Sequence, residues 1–249
     1  MNLPPAQALL GVVEATWPPA ARWRAGPWLM RDGAGGGKRV SAATAAGPVR
    51  EADIALAEQE FARTGNTPLF MLRHGEGALD GWLAARGYKV IDPVTLLACP
   101  VGALTAEPVP PVSAFAIWPP LAVMRDIWAR GGIGPARLAV MERAQDPKTA
   151  LLARAADRAA GAAFVAIHRD VAMIHAMEVL PELRRKGAAL NMMRAAAHWA
   201  QDQGARYFSL VVTDANRPAN ALYRARGMRE VGKYHYRIRQ EERTEAALD

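Results

Sequence analysis

A single cysteine, Cys99, stands in the 249 residues, so no intrachain disulfide can brace this fold. It lies inside the apolar run 94–101, away from any base, and reads as a buried strand residue rather than a nucleophile. Long apolar runs are missing as well. Arg, Asp or Pro interrupts each candidate before the roughly 18 to 20 residues that a membrane span needs. Residues 1–7 carry two prolines and no positive side chain, which makes a poor secretory leader. A soluble, cytoplasmic protein without membrane association is expected. Cys/His clusters at metal-ligand spacing are also lacking, so no metal is expected, and His168 and His198 read as structural.

Acidic charge is in deficit: 31 Lys and Arg face 24 Asp and Glu, for a net charge of +7. The excess is spread along the chain, and the longest basic block is the three residues Arg184, Arg185 and Lys186. That dispersion speaks against nucleic acid as the main partner, although a positive field would also draw in a small polyanion. The apolar content of 51% is ample for a packed core.

The pattern along the chain alternates strands and helices. Residues 28–31 and 39–44 read as strands flanking the Gly-rich stretch 33–37, which suggests a flexible hairpin turn. A helix is expected at 51–63, a strand at 68–73, a helix at 79–86 ended by Gly87, and a strand at 88–99. Pro108, Pro110 and Pro111 then mark a linker, which predicts one half over 1–107 and a second over 113–240, with a frayed tail at 241–249. The second half predicts helices at 121–130 and 136–144, strands at 149–155, 161–168 and 171–179, a helix at 188–203, a strand at 207–213, a helix at 219–226 and a strand at 231–238. A faint repeat links 82–88 with 222–228: both read as a helix ending in Arg-Gly before a strand.

The chemistry concentrates at 177–189. A strand ends at Val179, Pro181 stops its pairing, and Gly187, Ala188 and Ala189 open a helix. Such a turn directs free amides at the positive end of a helix dipole into one spot, which suits a pyrophosphate. Gly187 removes the Cβ that would block close approach, and Arg184, Arg185 and Lys186 add positive charge. These cations could instead be a solvated run, but beside a helix N-terminus they oppose the dipole and need an anion. Asn216 and Tyr223 stand seven positions apart in the following strand exit and helix. Asn216 is either a helix N-cap or a ligand contact, and Tyr223 either packs or offers a proton, its ordinary pKa being about 10.

Together these motifs resemble the GNAT superfamily of N-acetyltransferases over residues 113–240: Val179-x-Pro181-x-x-Arg184-x-x-Gly187-x-Ala189, a helix, a strand, Asn216, then Ala219-x-x-Leu222-Tyr223 and a Gly227-Met228 strand start. The resemblance implies an α/β fold with a mixed, mostly antiparallel central sheet flanked by helices, and the repeat suggests a tandem of two such units. It implies acetyl-CoA as cosubstrate and an amine acceptor on a small molecule, peptide or protein, attacked directly. In that scheme Met177 and Val179 pair with the pantetheine arm in a splayed strand gap. The amides of Arg185, Lys186, Gly187, Ala188 and Ala189 bind the pyrophosphate. Asn216 and Ala219 line the cofactor site, Tyr223 protonates the departing thiolate, and the Val179 amide polarises the acetyl carbonyl.

A base is still needed to neutralise the amine. Glu178 and His175 are the candidates; they sit three apart, so a regular strand would turn them to opposite faces, and Glu178, adjoining the loop, is preferred. The strand before Asn216 offers only Leu210, Val211 and Val212. The first half lacks the site, since Leu83 stands where the repeat aligns Tyr223, and the Gly-rich stretch fails as a nucleotide loop because Asp32 and Arg39 occupy its Gly and Ser/Thr positions. That half could still wall the acceptor pocket, with Trp17, Trp23, Trp28 and Trp82 as candidate lining. A non-catalytic acyl-CoA-binding module is the rival reading, and the oligomeric state, a homodimer included, stays open.

Overall fold

The computed structural model describes residues 2–239; the tail expected at 241–249 lies outside them. The chain opens with helix α1 (Ala6–Thr16), then a hairpin of β1 (Ala21–Ala25) and β2 (Trp28–Asp32), and β3 (Thr44–Ala45) completes a small three-stranded sheet. Helix α2 (Asp53–Arg63), strand β4 (Leu69–Arg73), helix α3 (Gly77–Ala85), strand β5 (Lys89–Pro100) and the short α4 (Gly102–Thr105) finish the first half. The second half runs β6 (Ala114–Ile117), α5 (Ala122–Arg130), α6 (Pro135–Arg143), β7 (Lys148–Ala155), β8 (Arg158–His168), β9 (Val171–Val179), α7 (Ala188–Asp202), β10 (Tyr207–Thr213), α8 (Arg217–Ala225) and β11 (Arg229–Ile238). Among the described residues no helix is long and apolar enough to cross a membrane.

Eight strands form one sheet in the order β4-β11-β5-β10-β9-β8-β7-β6. Every neighbouring pair is antiparallel except β9 with β10. This is the mixed, mostly antiparallel sheet that the motifs implied. Its central order carries a feature no local pattern announces. Strand β5 follows α3 but lies between β10 and β11, while β11 follows α8 but lies between β4 and β5. The two halves therefore exchange their last strands, about an approximate twofold between β5 and β11.

The repeat seen at 82–88 and 222–228 is the local signature of that symmetry. Gly87 and Gly227 hold φ of 81° and 79°, left-handed backbone that glycine adopts without a Cβ penalty. Tyr88 N–H donates to Leu83 C=O at 3.0 Å, and Met228 N–H to Tyr223 C=O at 3.2 Å, so both helices end in the same closure. Leu83 thus occupies the position equivalent to Tyr223. Ion pairing fastens one exchanged strand: Arg237 Nε of β11 lies 2.8 Å and His235 Nε2 2.7 Å from Asp80 Oδ1 on α3.

The strands flanking the Gly-rich stretch pair antiparallel as expected, β2 with β3, but the second is shorter than expected and the turn between them is packed. Residues 38–40 form a single 3-10 turn rather than a strand, and the glycines are packed. A Cβ on Gly36 would come within 2.6 Å of Val140 Cγ2 on α6, and one on Gly33 within 2.4 Å of Ser41 Oγ. The loop needs glycine because it is pressed against the second half. Cys99, on β5, is fully buried, and that burial pushes its thiol up to about 12.

Candidate active site

Strands β9 and β10 pair in parallel only from Val171 and Tyr207 as far as Ile174 and Leu210. Beyond that point β9 continues to Val179 against β8 alone, and β10 to Thr213 against β5, so the two strands splay. A bulge begins the divergence. Phe164 of β8 faces His175 and Ala162 faces Glu178, so two β8 steps span three on β9, and Ala176 takes a φ of 50°. Trp128 Nε1 on α5 donates to the Ala176 carbonyl at 2.8 Å and holds the bulge.

The bulge overturns the expectation that His175 and Glu178 face opposite ways. One extra residue between them restores the same parity, because a regular strand changes face at every step. Opposite Val179, a Cβ on Gly161 would meet Met192 Cε of α7 at 2.9 Å, which puts Val179 on the α7 face. Glu178 lies on the other face, where a Cβ on Gly131 at the end of α5 would meet its Cγ at 2.6 Å.

The end of β9 is set up by its backbone. Leu180 N–H donates to Ala160 C=O on the β8 side at 2.9 Å. By alternation the N–H and C=O of Val179, and those of Met177 before it, are directed at the opening between β9 and β10. Arg184 reaches back over this end, donating from Nε to Val179 C=O at 3.0 Å and pairing through its second nitrogen with Glu178 Oε1 at 3.3 Å.

After a 3-10 turn at Pro181–Leu183, Arg185 and Gly187 both take left-handed backbone, φ 60° and 84°. Gly187 is the N-cap of α7 and offers no side chain to its first turn, which holds no acidic residue. The amides of Ala188 and Ala189 thus begin a 15-residue helix without a side-chain cap, with exposed Arg184, Arg185 and Lys186 beside them.

Across the opening, Asn216 is the N-cap of α8, its side chain accepting from Ala219 N–H at 3.3 Å. Tyr223 is 8% exposed in the main core, and that burial raises its phenol to about 12. No hydrogen bond joins Tyr223 to Glu178 or to the Arg184 loop among the described residues.

His175 is spent on structure. Its Nδ1 lies 3.1 Å from an Arg39 nitrogen, which can only donate, so Nδ1 accepts and the ring proton sits on Nε2. That proton goes to Thr16 Oγ1 at 2.8 Å, and the Thr16 hydroxyl donates onward to Val12 C=O at 2.7 Å. The ring packs at a tilt against Trp17, centroids 5.1 Å apart. Of the four tryptophans considered for the acceptor side, Trp17 lies beside His175 and Ala176. Trp28 is fully buried in the first half and donates to Asp53 C=O, Trp23 donates to Glu60, and Trp82 packs with Trp28's cluster. His198 lies at Glu107 C=O, 3.3 Å away on the surface.

Residues 118–228, which hold both arms of the opening and the α7 loop, match the model of the acetyltransferase (GNAT) family. That stretch carries a GNAT acetyltransferase domain. An uncharacterised N-acetyltransferase of Bacillus subtilis (strain 168), YobR, is 26% identical over 238 residues, covering 90% of this chain and 95% of its own. Among solved structures, a GCN5-related N-acetyltransferase from Kribbella flavida superimposes with a TM-score of 0.72 at 19% identity, over 96% of this chain and 97% of that one. A tandem GNAT protein from the clavulanic acid biosynthesis pathway gives a TM-score of 0.60 at 16% identity, over 96% of this chain and 89% of its own. The GNAT match makes acyl transfer the general chemistry of residues 118–228, and the structural likenesses show a GNAT-type fold over nearly the whole chain.

Proposed function

We propose that this GNAT protein transfers an acetyl group from acetyl-CoA to a primary amine by direct attack. The observation that carries the reading is the splay of β9 from β10 beyond Ile174, which directs the Val179 amide into an opening that ends at the uncapped start of α7. In this reading the amides of Arg185 to Ala189 bind the pyrophosphate, aided by the neighbouring cations. Met177 and Val179 pair with the pantetheine arm, while Asn216 and Ala219 border it. Asn216 reaches the arm through its amide nitrogen, since its oxygen caps α8.

The Val179 N–H stabilises the oxyanion that forms as the amine nitrogen bonds to the acetyl carbon. Glu178 takes the proton that the attacking nitrogen loses; His175 is left out, because both its nitrogens are engaged. When the carbon–sulfur bond breaks, Tyr223 donates to the departing sulfur. A phenol near 12 is always protonated at neutral pH, but a thiolate with a pKa of about 8.5 is a weaker base than the phenolate. Tyr223 therefore stabilises the leaving group chiefly as a hydrogen-bond donor, and solvent completes the protonation.

The test is free-thiol release from acetyl-CoA across a panel of amines and peptides, with calorimetric binding of acetyl-CoA alongside. Turnover with at least one primary amine is the expected result. Binding without turnover on any acceptor would favour a sensing module, and no binding would remove the reading altogether.

A further inference from the structure

On the face of the sheet that carries His175, a cleft of about 320 Å³ opens beside the bulge. Ala176 and Thr213, one from each splayed strand, form its floor, so it adjoins the place where the acetyl group would lie. The first half supplies the opposite wall through Lys38, Arg39 and Asp92, and α6 supplies Arg137. Its charges are unequal. Lys38 is neutralised by Asp92, with Nζ 2.6 Å from the carboxylate. Among the described residues, Arg39 and Arg137 have no acidic partner.

Each arginine is held ready. Arg39 lies over Trp17, 5.9 Å from the ring, and is steadied by its bond to His175, while its buried Nε has no hydrogen-bond partner. Arg137 rests against Gly37: a Cβ there would sit 3.5 Å from its Nε. Tyr234, 3% exposed, also lines the cleft, and its hydroxyl is buried without a partner. An unmatched buried hydroxyl and a buried guanidinium N–H cost stability unless a bound group completes them.

We propose that the acceptor is a small amino-carboxylate, whose carboxylate is bound by Arg39 and Arg137 with the Tyr234 hydroxyl beside it, leaving its amine at the bulge. This deepens the acetyl-CoA reading and rests on it. Guanidinium groups match a carboxylate with paired N–H donors, and two of them without an acidic partner, the nearby Asp92 being paired with Lys38, select an anion over a neutral amine. The cleft's volume suits a small molecule rather than a protein segment.

The experiment uses the full-length protein and three primary amines matched in length, bearing a carboxylate, a carboxamide or a phosphonate. Thiol release gives kcat/KM, and calorimetry gives affinity for the same compounds. The carboxylate should exceed the carboxamide by at least about tenfold in kcat/KM. Arg137 is exposed on its helix, so Arg137→Gln can be made without disturbing the core. In that variant the preference should collapse towards one, mainly through KM, and Arg137→Lys should recover part of it. Equal use of the carboxamide overturns the proposal, and a preference for the phosphonate reassigns the site to phosphate and overturns the carboxylate. Should acetyl-CoA neither bind nor turn over, the function reading fails separately. Calorimetry on the protein alone then decides: tighter carboxylate binding lost in Arg137→Gln supports the cleft, and no difference sinks it.

Discussion

His175 Nε2 donates to Thr16 Oγ1 across 2.8 Å, tying the strand that ends at the candidate site to the first helix of the chain, 159 residues away. The bond fixes the neutral tautomer, and full burial, reinforced by Arg39, drives the His175 pKa well below its ordinary 6.5. Below pH 6.5 the unfolded chain takes up a proton that the folded ring refuses. The contribution is complete above 6.5 and is lost as pH falls towards the folded value, by at most about 1.4 kcal/mol per pH unit. Urea unfolding between pH 7.5 and 5 should show this loss, and His175→Gln should flatten its share of the slope. An unchanged slope would contradict the buried neutral assignment. Thr16→Val, which strands the imidazole N–H, should cost about 1–3 kcal/mol at pH 7.5.

Gly187 is required for its backbone, not for space. At φ 84° a Cβ would find only Asn191 Nδ2, at 3.8 Å, so Gly187→Ala meets strain rather than a clash. A loss of about 1 kcal/mol in stability is expected, with weaker acetyl-CoA binding as the loop relaxes. Thermal melting and calorimetry on the same variant measure both, and unaltered affinity would separate the loop from the cofactor.

Tyr223→Phe removes the donor proposed for the leaving sulfur while keeping the ring in the core. Thiol release should fall about a hundredfold in kcat, with the KM for acetyl-CoA nearly unchanged. Because burial raises the phenol to about 12, the wild-type pH–rate profile should show no Tyr223 limb below pH 11. A kcat within twofold of wild type would remove Tyr223 from the reaction.

The strand exchange predicts that neither half folds alone. Residues 1–107 lack β11, which separates β4 from β5 in the sheet, and residues 108–249 lack β5, which separates β10 from β11. Expressed apart, each should show little protection from proteolysis; co-expressed, they should assemble into a stoichiometric complex. Asp80→Asn, which weakens the hold of α3 on Arg237 and His235, should loosen that complex. The carboxyl pKa of Asp80 is lowered, chiefly by its Arg237 bonds, so its contribution is present above about pH 4 and lost as pH falls further. Two halves that fold and melt independently would refute the exchange.

Much of the second half was legible because its signals are local. Strands β9 and β10 run over the residues that their β-rich composition and flanking breakers marked, and α7 starts at the Gly187 step. What escaped depends on distant partners. Ala176 adopts φ 50° without the Gly or Asn that usually announces it, so the bulge, and with it the shared face of His175 and Glu178, had no sequence signal. The exchanged strands follow identical helix closures, and nothing in either says which neighbour it will pair with. Arg39, Arg137 and Tyr234 come from three separate elements, and only the docking of the Gly-rich loop on α6 brings them together; the glycines at 33–37 were the one visible hint of a close approach.

The most direct test of the account is a crystal structure of the protein with coenzyme A. The pyrophosphate should lie within hydrogen-bond distance of the amides of residues 185–189, with the pantetheine arm between β9 and β10 and the sulfur towards Tyr223. Coenzyme A bound elsewhere, with the strands closed against each other beyond Ile174, would contradict it.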